Sequence, residues 1–286
     1  MSLCEVCGSN ELISIATGAK SVGLFGKCLK CHLLQNLESK KPSEIEGTAF
    51  DGYAAAQDLE FEKIRRSVVL SQLKKHIDNH NLELSVFDIG AGAGHFLRDA
   101  QMSGFRVSGS ELSQTAASSI YQNYSIQIPV KNYEDFGFVD CNDSVTMFCV
   151  LAHSVNPEIL LKSIHQSLKT DGILYFHTPR YCLIDSIAIF LSRISSGKFD
   201  RILLRRIGGE HKRIYSRPSL MKLLAESGFV EVHMTADIGY GLKKDRYFIA
   251  MGLPKPISTF LGKILNLLSK FKVLPRNVFT VYAMKS

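Results

Sequence analysis

The 286-residue chain contains no tryptophan, no run of about 18 or more apolar residues, and no internal repeat or low-complexity tract. The missing apolar run argues against a membrane-spanning helix. The N-terminus lacks a basic stretch followed by an apolar one, so no signal peptide is expected and the expected location is the cytoplasm. The lack of tryptophan excludes nothing. What is present is 45% hydrophobic and 21% charged, an ordinary globular balance. The length suits one large domain, or one domain with a small module.

Charge is unevenly spread. Of 34 Lys and Arg, nine fall within residues 240–286 against a single acid, a local charge of +8. The other 239 residues hold 25 bases and 26 acids, a net of −1. The basicity therefore belongs to the C-terminal fifth. It suits a phosphate-bearing substrate, a nucleic acid, an anionic membrane, or simply a solvated lysine-rich face.

Four of the seven cysteines crowd into the first 31 residues, as Cys4-x2-Cys7 and Cys28-x2-Cys31. Two such knuckles close one tetrahedron of thiolates, the spacing of a structural zinc ribbon. So short a segment buries too little apolar area to fold alone, and metal binding supplies the missing free energy. Four thiolates leave no open position, so the expected zinc is structural. Disulfides are the competing use, and fit a cytosolic chain poorly. His32, beside Cys31, is a candidate substitute ligand. Cys141, Cys149 and Cys182 stand alone and read as small core residues.

Residues 36–50, with Lys40-Lys41-Pro42-Ser43, read as a linker. Residues 58–80 have helical periodicity, with Phe61, Ile64, Val68, Leu73 and Ile77 on one face. From residue 84 strands and helices alternate. Strands are expected at 84–89, 105–111, 126–130, 144–151 and 173–177, and helices at 95–103, 114–124 and 157–168. Units of this length imply a parallel sheet with helices on both faces. An insert at 181–209, a helix at 219–227, a strand at 229–236, an amphipathic segment at 254–275 and a last strand at 278–284 follow. The expected domains are a ribbon (1–38), a linker and helical lead-in (39–80), and an α/β domain (81–286) with inserts at 181–209 and 254–275.

The first strand of that domain runs into Asp88-Ile89-Gly90-Ala91-Gly92-Ala93-Gly94, which opens a helix. Such a turn offers backbone N–H groups to a ligand and lets it approach closely. Glu111, followed by Leu112, ends the next strand, where a carboxylate can accept the hydroxyls of a ribose. The dinucleotide fingerprint wants a third glycine where His95 stands.

An acid two residues before Gly-x-Gly-x-Gly instead resembles the first motif of class I S-adenosylmethionine-dependent methyltransferases. Val107 to Ser113 resembles that family's second motif, Asn132 to Phe136 its adenine-side loop, Val145 to Pro157 its fourth-strand motif, and Leu168 to Leu174 its turn into strand five. The resemblance implies a Rossmann-like, doubly wound seven-stranded sheet with an antiparallel last strand. It implies that Gly90, Ala91, Gly92 and Gly94 wrap the methionine part of S-adenosylmethionine. Glu111 and Leu112 would hold the ribose, Asp88 would orient the turn or the amino group, and Asn132 and Tyr133 would line the adenine. Cys149 and Ala152 depart from the pattern, standing where the family often carries an acid and a glutamate; His153 remains.

Methyl transfer from a sulfonium needs alignment above all, and a base where the nucleophile holds its proton. The candidate base is His211, oriented by the adjacent Glu210, in a segment that reaches the carboxyl ends of the strands. A zinc ribbon joined to this core resembles the deoxysugar C-methyltransferases. By that resemblance Glu210 and His211 match a catalytic Glu-His pair, and Tyr53 matches a tyrosine between ribbon and core. The expected acceptor is small and polar, a sugar or nucleotide-linked sugar methylated on carbon or oxygen. Three alternatives stand beside it: an RNA methyltransferase gripping phosphates with the ribbon and basic region, a membrane-surface enzyme acting on a lipid-linked acceptor, and a non-catalytic module.

Overall fold

A computed structural model describes residues 3–15, 25–37, 59–194, 211–239, 244–250, 253–271 and 276–285. The N-terminal segment, read above as a ribbon and called so below, supplies β1 (Leu12–Ile15), β2 (Phe25–Cys28) and β3 (Leu34–Asn36). Helix α1 (Leu59–Asn79) leads into the α/β domain. There β4 (Ser85–Ile89), α2 (His95–Met102), β5 (Arg106–Ser110), α3 (Gln114–Tyr124), β6 (Asn142–Phe148), α4 (Pro157–Ser167) and β7 (Leu168–Pro179) alternate. Next come α5 (Leu183–Ile194), β8 (Arg213–Ile214), α6 (Arg217–Glu226) and β9 (Glu231–Asp237). Helices α7 (Lys244–Ala250) and α8 (Lys255–Lys270) precede the last strand, β10 (Val278–Met284).

The main sheet runs β5-β4-β6-β7-β10-β9. Strand β4 pairs in parallel with both β5 and β6, and β6 with β7. Strand β10 is antiparallel to β7 and to β9, as the resemblance implied. Val145, Met147, Leu174 and Phe176 of the central strands are fully buried, because helices cover both faces. After β4 the chain crosses to β5 on one side and later to β6 on the other. This switch point leaves a crevice at the strands' carboxyl ends.

Two expectations need correction. The sheet has six strands among the described residues, not seven. The stretch 126–130 makes only a single parallel bridge, Glu111 to Val130. Pro129 has no N–H for a ladder, and only its carbonyl is used, accepting from the Glu111 N–H at 3.2 Å. The buried face of α1 is also rotated from the expected one. Val69, Leu70, Leu73 and Ile77 are buried, whereas Ile64 and Val68 are exposed. Arg66 lies on the buried stripe, paired with Asp99 at 2.6 Å, and a buried arginine hides that stripe from a reading of apolar spacing.

The ribbon is welded to the α/β domain. Strand β3 pairs with β8, Leu34 opposite Ile214 and Gln35 opposite Arg213. Cys4, Val6, Cys28, Cys31 and Leu33 share one apolar cluster with Tyr215, Leu220, Leu223 and Leu224. The buried Arg213 pairs with Glu5, and the Ser216 hydroxyl donates to the Cys31 carbonyl.

Candidate donor pocket and acceptor-side cluster

The glycine turn sits at the switch point. Gly90, Gly92 and Gly94 have φ of 68°, 56° and 73°, a left-handed run that only glycine adopts cheaply. Space is as restrictive as conformation. A Cβ on Gly90 would lie 2.7 Å from Val150 Cγ2, and one on Gly94 would lie 2.7 Å from Ile120 Cγ1. The N–H groups of Gly90 and Ala91 are spent on the Ser110 carbonyl, at 2.8 and 3.1 Å. The Gly92 N–H points to Glu111, donating to Oε2 at 2.7 Å.

Glu111 gathers both loops at the crevice. Its Oε1 accepts from the N–H groups of Leu112, at 2.7 Å, and Ser113, at 3.0 Å. One carboxylate therefore spans the turns after β4 and β5. This fits a ribose-binding acid, whose oxygens face N–H donors and the crevice together. Ser113 then caps α3 through its side chain.

Asp88 lies beneath the turn and is 1% exposed. The Thr146 hydroxyl donates to it at 2.7 Å. Burial pushes its carboxyl up to about 8, with the charge of Glu111 adding to the rise and the Thr146 bond opposing it. It supports the turn from below. Tyr133 is likewise inside: 3% exposed, edge-on to Phe87 at 5.1 Å, its hydroxyl bonded to Ser167 and Asn142. Asn132, at the start of the 3-10 turn Tyr133–Phe136, is exposed. The ring is thus part of the core, and of the two residues only Asn132 faces outward.

The four ribbon sulfurs converge. Cys4 and Cys31 Sγ lie 3.5 Å apart, as do Cys7 and Cys28, and all four lie within 4.8 Å of one another. The set has the size of a tetrahedral metal site. His32 lies outside this group.

A second cluster stands past the end of β6. Cys149 Sγ is 3.6 Å from His211 Nε2 and 3.9 Å from His153 Nε2. The two imidazoles are 4.8 Å apart, centre to centre. Cys149 has φ of 65°, rare for a residue with a side chain, and its N–H donates to the His177 carbonyl at 3.0 Å. The His211 segment is fastened to the same loop, with Lys212 N–H on the Ala152 carbonyl at 2.9 Å and the Arg213 guanidinium on the Ser154 carbonyl at 2.7 Å. Val150, next to Cys149, is the residue that crowds Gly90. The cluster therefore borders the glycine turn. Glu210 and Tyr53 lie outside the described residues. Cys149 was missed in the sequence because it stands alone there; the signal was a histidine four residues later, together with a departure from the family pattern at that position.

A methyltransferase-domain family model matches residues 49–234, more than half of the chain. The chain belongs to this methyltransferase family. No curated protein matches it. Among solved structures, a Galdieria sulphuraria protein assigned as a sarcosine dimethylglycine methyltransferase is 14% identical, with a TM-score of 0.50, over 76% of this chain and 85% of its own. A chain from the complex of the Haloferax volcanii Trm112 methyltransferase activator with its assigned methyltransferase is 15% identical, with a TM-score of 0.50, over 84% and 98%. An S-adenosylmethionine-dependent methyltransferase from Archaeoglobus fulgidus is 17% identical, with a TM-score of 0.48, over 79% and 98%. The protein is a methyltransferase enzyme with a Rossmann-like fold and a final antiparallel strand.

Proposed function

We propose that this methyltransferase uses S-adenosylmethionine to methylate a small polar acceptor, a sugar or nucleotide-linked sugar. The observation that carries the reading is the glycine turn closed by Glu111 at the switch point. In this reading Gly90 to Gly94 hold the methionine part, Glu111 and Leu112 the ribose, and Asn132 the adenine side. The bound donor supplies an electrophilic methyl on a sulfonium. The chain supplies alignment, the largest lever for a direct displacement. The acceptor's reacting atom is held, and loses its proton, at the cluster of Cys149, His153 and His211. Glu210 and Tyr53 remain proposed partners of that cluster. Cys4, Cys7, Cys28 and Cys31 hold a structural zinc. Calorimetry with S-adenosylhomocysteine, followed by labelled methyl transfer to nucleotide sugars, tests the reading. Absence of donor binding overturns it; binding without turnover across a broad acceptor panel overturns the acceptor class.

A specific observation favours a second reading, in which the enzyme works at an anionic membrane surface. Helix α8 turns its small residues inward: Ser258 is buried, and Gly262 abuts the backbone of Asp245. Its apolar stripe, Ile257, Phe260, Ile264, Leu267 and, just past its end, Phe271, is exposed. Helix α5 likewise exposes Leu183, Ile187, Phe190 and Ile194. Apolar faces directed away from a protein, that of α8 within a region of charge +8, suit a bilayer interface carrying anionic lipid. Co-sedimentation with phosphatidylglycerol vesicles, weakened by Phe260→Ser with Leu267→Ser, is expected. Equal recovery with and without vesicles overturns it.

A further inference from the structure

We propose that Cys149, His153 and His211 bind a zinc ion at the carboxyl edge of the sheet, and that this ion holds the hydroxyl or thiol of the acceptor. The proposal rests on the proposed donor and acceptor reading for the acceptor, but not for the metal.

The distances suit the ion. Zinc binds thiolate sulfur at about 2.3 Å and imidazole nitrogen at about 2.0–2.1 Å, so sulfur and nitrogen on one tetrahedral ion lie roughly 3.5 Å apart. Cys149 Sγ stands 3.6 and 3.9 Å from the two Nε2 atoms, and the three donor atoms fall within 4.8 Å of one another. The ribbon cysteines, whose spacing is that of a zinc site, meet the same limit.

The donor chemistry agrees. One thiolate and two imidazoles are a borderline-soft set that suits zinc and disfavours magnesium or calcium. Three protein donors beside one exchangeable ligand are what catalytic zinc sites use, in contrast to the closed four-thiolate ribbon.

Placement points the same way. The donors come from two segments that the backbone ties together, through Lys212 and Arg213 on the Ala152 carbonyl at 2.9 and 3.3 Å. Preassembled ligands are what an ion needs in order to bind without reorganising the fold. The ligand loop touches the glycine turn through Val150 and Gly90, so the cluster stands next to the proposed donor pocket.

The step balances without any further reactant. On coordination the acceptor's O–H or S–H loses its proton to solvent, as water does on zinc at a pKa near 7. The oxygen or sulfur anion forms a new bond to the methyl carbon. The carbon–sulfonium bond breaks with its electron pair staying on sulfur, leaving a neutral thioether. His211 then serves as a ligand rather than as the base, and the proton goes to solvent.

The test counts metal on the full chain, purified without chelator and equilibrated with zinc alone. Elemental analysis is expected to find two zinc ions per chain in the wild type and one in each of Cys149→Ser and His153→Ala. The remaining ribbon zinc reports that each variant is folded. With cobalt(II) in place of zinc, the wild-type spectrum minus that of His153→Ala should carry thiolate-to-cobalt absorption from a single sulfur. One zinc in the wild type, or two retained in both variants, overturns the proposal. S-adenosylhomocysteine calorimetry on the same samples reports the donor site separately. A chain that binds two zincs but no donor defeats the S-adenosylmethionine reading and leaves the metal site standing; one that binds donor and a single zinc does the reverse.

Discussion

Replacing Gly94 with alanine tests the donor pocket most directly, because the structure separates the two costs involved. The first is conformational. Gly94 has φ of 73°, and an L-residue in the left-handed region costs about 1–2 kcal/mol. Part of that is returned, about 0.4–1 kcal/mol, because alanine restricts the unfolded chain. The second cost is steric. The new Cβ would lie 2.7 Å from Ile120 Cγ1 and 3.1 Å from its Cγ2. Ile120 is fully buried among Leu97, Ala117, Ile126 and Ile128 and has nowhere to go. Overpacking of this kind costs about 1–3 kcal/mol. Gly137 isolates the first cost, since its φ is 63° but a methyl group added there would meet nothing within 4 Å. Gly137→Ala should therefore cost about 1 kcal/mol and Gly94→Ala about 2–4. At about 2 °C per kcal/mol for a chain of this size, thermal melts should fall by roughly 2 °C and 4–8 °C. S-adenosylhomocysteine affinity should drop at least about tenfold in Gly94→Ala, equivalent to about 1.4 kcal/mol, and hold in Gly137→Ala. Equal melting losses in the two variants would refute the role given to packing, and unchanged affinity in Gly94→Ala would refute the placement of the donor.

Glu111→Ala releases the N–H groups of Gly92, Leu112 and Ser113 together; calorimetry should show S-adenosylhomocysteine affinity falling about 10- to 100-fold, at about 1.5–3 kcal/mol for hydrogen bonds to a charged group. Asp88 governs a pH dependence: its folded carboxyl titrates at about 8 and its unfolded one near 4, so the folded state holds the extra proton and stability falls as pH rises between those values. Burial lowers His95, His165 and His177, whose stability contributions are instead lost as pH falls below about 6.5. Melts between about pH 6.5 and 8 should therefore decline by about 2 kcal/mol in the wild type and flatten in Asp88→Asn; identical slopes would sink the assignment. Glu5→Ala leaves the buried Arg213 without its acidic partner and should destabilise by up to about 3–5 kcal/mol, discounted because Glu5 is itself partly exposed; a melt within about 1 °C of wild type would show that the Ser154 and Val155 carbonyls suffice.

The parts of the fold that were legible in the sequence are those whose signal is local. The glycine turn declares itself because three left-handed residues so close together demand glycine, and β4 and β7 because their buried stretches, Val86-Phe87 and Ile173 to Phe176, are apolar. The convergence of Cys4, Cys7, Cys28 and Cys31 is legible because paired Cys-x2-Cys spacing is what a tetrahedral metal site uses. What escaped depends on tertiary partners. Ile126 to Val130 has strand-forming residues, yet Pro129 removes the donor that a ladder needs. Tyr133 sits where a pocket residue was expected, but Phe87, Phe136 and Phe138 enclose its ring. Cys149 looked solitary because its neighbour His211 is 62 residues away and only the fold brings them together.

The weld between ribbon and core changes what the ribbon is for. A module joined only by a linker would leave the site untouched if lost. Here β8, the strand that completes the ribbon sheet, begins two residues after His211 and carries the Arg213 that clamps the 154–155 loop. Metal binding at Cys4, Cys7, Cys28 and Cys31 would fix β2 and β3, which fix β8, which fixes the height of His211 against Cys149. The folding energy of a structural zinc, about 10–16 kcal/mol in isolated fingers, would then be spent partly on positioning the acceptor-side cluster. Cys31→Ser makes the point testable, because its effects must go beyond the ribbon. It should raise amide exchange at residues 211–216 as well as at 25–36, while the β4 and β6 amides stay protected. Exchange confined to 25–36 would make the ribbon an appendage after all.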